Sequence, residues 1–189
     1  MLKVKSFASA LALGILALGT AAAPIVAKED TVMVGGAAMY PTKNIIENAV
    51  NSPVHKTLVA AVTAAGLVDT LQGAGPFTVF APVDAAFAAL PAGTVETLLK
   101  PENKGQLVKI LTCHVVAADA MSKAVKKMVA DDGGAHQVKT VGGCMLTLKV
   151  KGKKITVTDE TGGTATVTVA DVKQSNGVIH VINKVLIPG

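Results

Sequence analysis

Arginine and tryptophan are absent from the 189-residue chain, and aromatic residues make up only 3% of it. All 18 basic residues are therefore Lys, which removes the guanidinium fork that reads paired phosphate oxygens and guanine edges. The rings on which single-stranded bases stack are scarce as well. A formal net charge of +5 does not by itself make a nucleic-acid binder, and nucleic acid is excluded as an expected partner. The densest basic group, Lys149, Lys151, Lys153 and Lys154, alternates like the solvent face of a hairpin.

Reaction frames are missing too. There is no Gly-x-Ser-x-Gly elbow, phosphate loop, dinucleotide fingerprint, His-Glu-x-x-His or Cys-x-x-Cys pair. Ser6 and Ser9 sit in the amino-terminal segment, Ser52 reads as a helix cap, and Ser122 and Ser175 lack a neighbouring His or Gly frame. Asp131-Asp132 and Asp159-Glu160 each precede a Gly pair and read as turn residues, without the alternating oxygen ligands of a calcium loop. The expectation is a non-enzyme with no catalytic residue, no metal and no cofactor.

Long apolar runs are likewise lacking. The longest begins near Phe7, ends at Leu18, follows Lys3 and Lys5, and leads into Gly19-Thr20-Ala21-Ala22-Ala23. This is the layout of a secretory signal peptide, and it is short for a bilayer span. Residues 1–27 are expected to be removed by cleavage after a residue from 22 to 27, with Pro24 disfavouring a cut directly after Ala23. Loss of Lys3 and Lys5 leaves 16 Lys against 13 acidic residues, a net +3. Residues 28–39 carry Gly35-Gly36 and no periodicity, and are read as a flexible leader to a single domain over 40–189. That domain is expected to be exported, to the periplasm or the extracellular space, with no integral membrane span after the signal is removed.

Within the domain, Phe77, Val79 and Ala81 alternate with Thr78 and Phe80 as in a strand, which Pro82 should end. Asp84 should cap the short helix that follows, with Phe87 and Leu90 on one face. Before this corner, Thr42 is read as the cap of a helix carrying Ile45, Ile46, Ala49 and Val50. Ser52 with Pro53 is read as the start of a second helix, closing at Gly66. Leu107, Ile110 and Leu111 form a later apolar stripe, and Val125 and Val129 another. From His136 onward the period changes to two, giving strands near 137–141, 144–150, 155–158, 165–169 and 178–182. Helices first and strands afterwards define an α+β domain.

Phe77-Thr78-Val79-Phe80-Ala81-Pro82 followed by Asp84-Ala85-Ala86-Phe87 resembles the first signature of the fasciclin domain family. Asn176-Gly177-Val178-Ile179-His180-Val181-Ile182 resembles the second. The resemblance spans about residues 35–189 and departs from the family pattern at Val83, usually Thr, and at Cys113, usually Tyr before His114. It implies a wedge of two packed β-sheets with several helices along one edge, and a role as an adhesion or interaction module of the cell envelope or extracellular space. A cell-surface or matrix protein, a glycan, or a second copy of the chain would be the partner. It also places partner contact at His114 and at Asp171-Val172, where Val stands for the usual Ile. Phe77, Phe80, Pro82, Asp84, Phe87, Asn176, Gly177 and His180 are its signature positions.

His114 and His180 each interrupt an apolar run and therefore need hydrogen-bond partners inside the fold. A packed, neutral imidazole with a fixed tautomer is one reading of each. The rival is a small-ligand or metal-binding periplasmic protein with a pocket near both rings. His55 and His136 are read as surface residues. Cys113 and Cys144, 31 positions apart in an exported chain, are expected to form a disulfide, with two free thiols as the alternative. Closing such a loop contributes roughly 3–4 kcal/mol in the chain-entropy account.

Overall fold

The structure, a computed structural model, describes residues 31–189, so the expected signal peptide over 1–27 lies outside the described residues. The element order is β1 (Val32–Val34), β2 (Ala37–Met39), α1 (Ile45–Val50), α2 (Lys56–Ala65), α3 (Val68–Gln72), β3 (Phe77–Pro82), α4 (Asp84–Ala88) and α5 (Thr94–Leu98). After a 3-10 turn at Pro101–Asn103 come α6 (Lys104–Thr112), β4 (Val115–Val116), α7 (Ser122–Asp131), β5 (Ala135–Lys139), β6 (Met145–Lys151), β7 (Lys154–Thr158), β8 (Thr164–Gln174) and β9 (Gly177–Ile182).

Seven strands form one sheet in the order β4-β3-β9-β8-β7-β6-β5, and β1 pairs with β2 separately. The pivot of the sheet is β8. Its first residues pair with β7 and the rest pair with β9, with register shifts between Val167 and Val169 and again between Val169 and Val172. Bulges of this kind bend a strand and sharpen its twist. The two halves of the sheet therefore face each other across a core of Phe80, Val116, Leu146, Leu148, Val157 and Ile182, closed by Val125 and Val129 of α7. The opposite face of β3 and β9 packs Val79, Ala81, Ile179 and Val181 against Ile45, Leu58, Val62, Leu107 and Leu111 of α1, α2 and α6. This is the expected α+β wedge with helices along one edge.

Buried on both faces, β3 and β9 run parallel to each other, which suits a strand pair covered on each side. The hairpin of β6 and β7 has its regular antiparallel register, and Lys149, Lys151, Lys153 and Lys154 are exposed along it as the alternation requires.

Residues 32–39 correct the flexible-leader expectation. They form a hairpin whose Val34 and Met39 are each only 3% exposed. Gly35 and Gly36 both adopt positive φ, 59° and 89°, the backbone that a two-residue hairpin turn demands and that side-chain-bearing residues resist. Three residues per strand are too few to display a period, so the hairpin is held by what it buries and not by a pattern.

Helix starts also differ from expectation. Asn44, not Thr42, caps α1: its side chain accepts from the Glu47 amide at 2.9 Å while the Glu47 carboxylate accepts from the Asn44 amide at 2.8 Å, a full capping box. Helix α2 begins at Lys56 behind His55, so neither Ser52 nor Pro53 opens it. Nor does Asp84 cap its own helix, where Val83 is the cap. Its carboxylate instead accepts from the amides of Thr57 at 2.7 Å and Lys56 at 3.3 Å, supplying across space the acceptor that α2 lacks locally.

Candidate functional site

The two signature segments lie side by side as β3 and β9, in register from Phe77 opposite Gly177 to Pro82 opposite Ile182, with Phe80 opposite His180. Every polar side chain they bring to this seam is engaged in joining elements. Asn176 donates to the carbonyls of Leu71 at 2.8 Å and Gly73 at 3.0 Å, and its side-chain oxygen accepts from the Ile45 amide at 3.1 Å, which ties α1 and α3 to the start of β9. A Cβ at Gly177 would overlap the Phe77 carbonyl, so the close approach of the two strands requires glycine there. Thr78, wholly buried, donates to the Ala118 carbonyl and accepts from the Ala120 amide at 2.8 Å, pinning the segment that leads into α7.

His180 is 1% exposed and stacks on Phe80 with ring centroids 5.8 Å apart. Its Nε2 donates to the Ala120 carbonyl at 2.7 Å and its Nδ1 accepts from the Asp171 amide at 3.3 Å. His114, 2% exposed, carries the opposite tautomer. Its Nδ1 donates to the Ile110 carbonyl at 2.8 Å and its Nε2 accepts from the Leu186 amide at 2.9 Å. Burial pushes His114 down to about 4, partly offset by the Ile110 carbonyl and the Asp159 charge. Burial lowers His180 as well, offset in part by the Ala120 carbonyl and then by Asp171 and Asp119. Both rings are neutral at pH 7, and neither has a nitrogen left to bind a metal or act on a substrate.

The three positions assigned to partner contact are equally occupied. His114 is inside, and Val172 is 1% exposed in the helix-side core. Asp171 is half-buried with φ of 60°, and its carboxylate accepts from the Ser122 amide at 2.6 Å and from the Ser122 hydroxyl at 2.5 Å. It thereby anchors the first turn of α7 to the bulged stretch of β8. Asp171→Ala is expected to lower stability by about 1.5–3 kcal/mol, the range for hydrogen bonds to a charged group, aggravated by leaving Ala in the left-handed region. Urea unfolding of the variant checks this; a midpoint equal to the parent's would show that the contact carries no weight.

Asp159 is another clamp that its turn setting disguised. One carboxylate oxygen accepts from Thr161 and Gly163 within the turn, and the other accepts from the Ile187 amide at 2.9 Å, fastening the carboxyl-terminal segment. Cys113 and Cys144 are joined by a disulfide with Cα atoms 5.4 Å apart, linking the end of α6 to the start of β6. Among the described residues, no group of three or more His, Cys, Asp or Glu side chains is placed to hold a metal ion.

His55 departs from the surface reading. It is 4% exposed, its Nδ1 lies 2.7 Å from the Ser52 hydroxyl, and burial lowers its pKa. A helix opening at Ser52-Pro53 would put this ring in a first turn, but α2 starts at Lys56 and His55 is its cap residue. His136 is partly exposed and pairs with Asp132 at 2.6 Å.

The sequence profile of the Fasciclin domain matches residues 53–188, most of the chain. The chain belongs to the fasciclin domain family. It is 49% identical over 160 residues to Protein sll1483 of Synechocystis, covering 85% of this chain and 82% of that one. It is 34% identical over 160 residues to the cell surface glycolipoprotein MPB83 of Mycobacterium bovis, covering 82% of this chain and 64% of the relative. A solved domain pair from the insect cell adhesion molecule Fasciclin I superposes with a TM-score of 0.56 at 25% identity, over 69% of this chain and 44% of that chain. The chain thus spans less than half of that solved pair. Among the described residues, no helix is long and apolar enough to cross a membrane.

Proposed function

We propose that the protein is an exported, non-enzymatic interaction module that works at the cell envelope or in the extracellular space, binding a surface or matrix protein, a glycan, or a second copy of itself. The observation that carries this reading is the full use of the signature side chains. Asn176, His180, His114, Asp171 and Asp84 all join one element to another, which leaves the seam without a free nucleophile, base or metal ligand. A domain whose polar residues are spent on holding shape acts through its surface. The names of its relatives, a cell surface glycolipoprotein and a cell adhesion molecule, support the same setting. The rival pocket built on His114 and His180 has no support, because both nitrogens of both rings are already bonded to backbone.

The test expresses the full chain in a Gram-negative host, sequences the amino terminus of the exported product, and measures binding of the labelled mature domain to intact cells and envelope extract. A new terminus beginning after a residue from 22 to 27, with saturable binding that survives removal of divalent metal by chelation, is the expected result. An uncleaved product kept inside the cell, or no saturable binding to any surface or to itself, would overturn the reading.

A further inference from the structure

We propose that the cavity between α1, α2 and α3 and the helix-side face of the sheet is a binding site for a small apolar molecule about the size of one ring, with room for a single polar group beside His55. This inference does not depend on the adhesive reading, since it concerns the interior of the domain and not its surface.

The cavity has a volume of about 150 Å³ and is lined chiefly by Met39, Ile46, Leu58, Val62, Val79 and Ile179. A protein cavity of roughly 150 Å³ with Leu, Ile and Phe walls stays dry and takes up benzene. Size and wall chemistry are therefore those of a ring-sized hydrocarbon site and not of a water cluster. The hairpin of β1 and β2 forms part of the enclosure through Val34 and Met39, which explains why a segment so short is kept ordered over the helix-side core. On the side between α1 and α2 the lining reaches the surface at Val50, Val59 and Thr63. Val50 is 60% exposed, an apolar rim at an opening and not a core residue.

Three polar residues line the cavity. The Thr63 hydroxyl donates to the Val59 carbonyl at 2.8 Å, and the Ser52 hydroxyl is paired with His55 Nδ1 at 2.7 Å. His55 Nε2 remains, the buried side-chain nitrogen that lacks a hydrogen-bond partner among the described residues. The Ala81 carbonyl, which partly offsets the lowering of this ring's pKa by burial, lies outside hydrogen-bond geometry. An unpaired buried polar atom is destabilising, and one beside an apolar cavity is relieved by a ligand that brings a single hydroxyl. The preferred ligand is thus a small aromatic or alicyclic molecule with one hydroxyl, ahead of the bare hydrocarbon. Charged or polyhydroxylated molecules are rejected, because the walls offer their remaining polar groups nothing.

The experiment measures thermal unfolding of the mature domain against rising benzene and rising phenol, with imidazole nitrogen NMR of His55 alongside. Ligand that binds only the folded state raises the midpoint with concentration. Both probes are expected to raise it, phenol at several-fold lower concentration than benzene, and phenol alone is expected to move the His55 ring resonances. Ala49→Phe and Val59→Phe, made separately at lining positions, should each weaken binding of both probes at least ten-fold. No rise with either probe in the parent overturns the site, as does an undiminished rise in whichever filled variant folds. Equal affinity for both probes with the His55 resonances unmoved overturns the role given to His55.

Discussion

Phe80→Ala is expected to lower stability by about 3–5 kcal/mol, the range for emptying a buried aromatic position, which is a large share of what a domain of this size possesses. Phe80 is 1% exposed and stands where three dependencies meet. It fills the core between the two halves of the sheet beside Leu146, Leu148 and Ile182. Its ring supports His180, whose two nitrogens hold the Ala120 carbonyl and the Asp171 amide. Its backbone amide donates to the His114 carbonyl at 2.9 Å, beside the disulfide. Bends and bulges limit how far β8 and β9 can close over the void, so most of the cavity term should persist. Denaturant unfolding gives the number, and a loss under about 1 kcal/mol would mean that the core collapses freely around the missing ring. Surface binding by the variant should persist at temperatures where it remains folded.

Acid should weaken the fold well before most carboxylates are protonated. In the unfolded chain a His titrates near 6.5, whereas folded His114 holds its neutral form down to about 4. Between those values the unfolded chain binds the extra proton and the folded chain does not. The stabilisation is complete above about pH 6.5, falls as pH drops through the window, and is fully lost below about 4. That gap corresponds to about 3 kcal/mol for His114, and burial of His55 and His180 shifts both in the same direction. The exposed carboxylate of Glu160, held below its usual range by the Met145 and Gly189 amides, acts only at lower pH. Melting midpoints at pH 7, 5.5 and 4.5 should descend steadily, and His114→Gln should flatten the descent. A midpoint unchanged from pH 7 to 4.5 would show that these imidazoles are not buried neutral.

The strand and turn plan of the second half was open to reading because alternation and Gly-containing turns are local. The strand ending at Pro82 was legible for the same reason, since the ring and the missing amide act on their neighbours. What escaped is long-range. Asp84 sits where a helix cap belongs, yet the amides it meets are those of Thr57 and Lys56, a pairing set by tertiary approach and invisible to spacing. Asp171 reads as partner contact because the alternation is followed only to residue 169, whereas β8 runs on to Gln174 and the left-handed backbone at Asp171 turns its carboxylate back onto Ser122. His55 reads as exposed in the first turn of a helix opening at Ser52-Pro53, whereas α2 starts at Lys56 and leaves His55 buried as its cap residue. The residues 32–39 were too few per strand to carry a period, and their order comes from Val34 and Met39 reaching the core. His114 and His180 were legible as buried, since each breaks an apolar run, but their opposite tautomers depend on which carbonyl and which amide the fold delivers.

That difference in tautomer offers the most direct measurement of the central claim, that the signature residues hold the fold together and do not form a site. Nitrogen NMR of the imidazole rings, followed from pH 7 to pH 4 with and without zinc, should show His114 protonated on Nδ1 and His180 on Nε2, as their backbone partners dictate. Both should stay neutral through the ordinary histidine range and ignore the metal. A ring of either residue that titrates near 6.5, exchanges tautomers, or shifts on adding zinc would contradict the claim and return the seam between β3 and β9 to consideration as a ligand site.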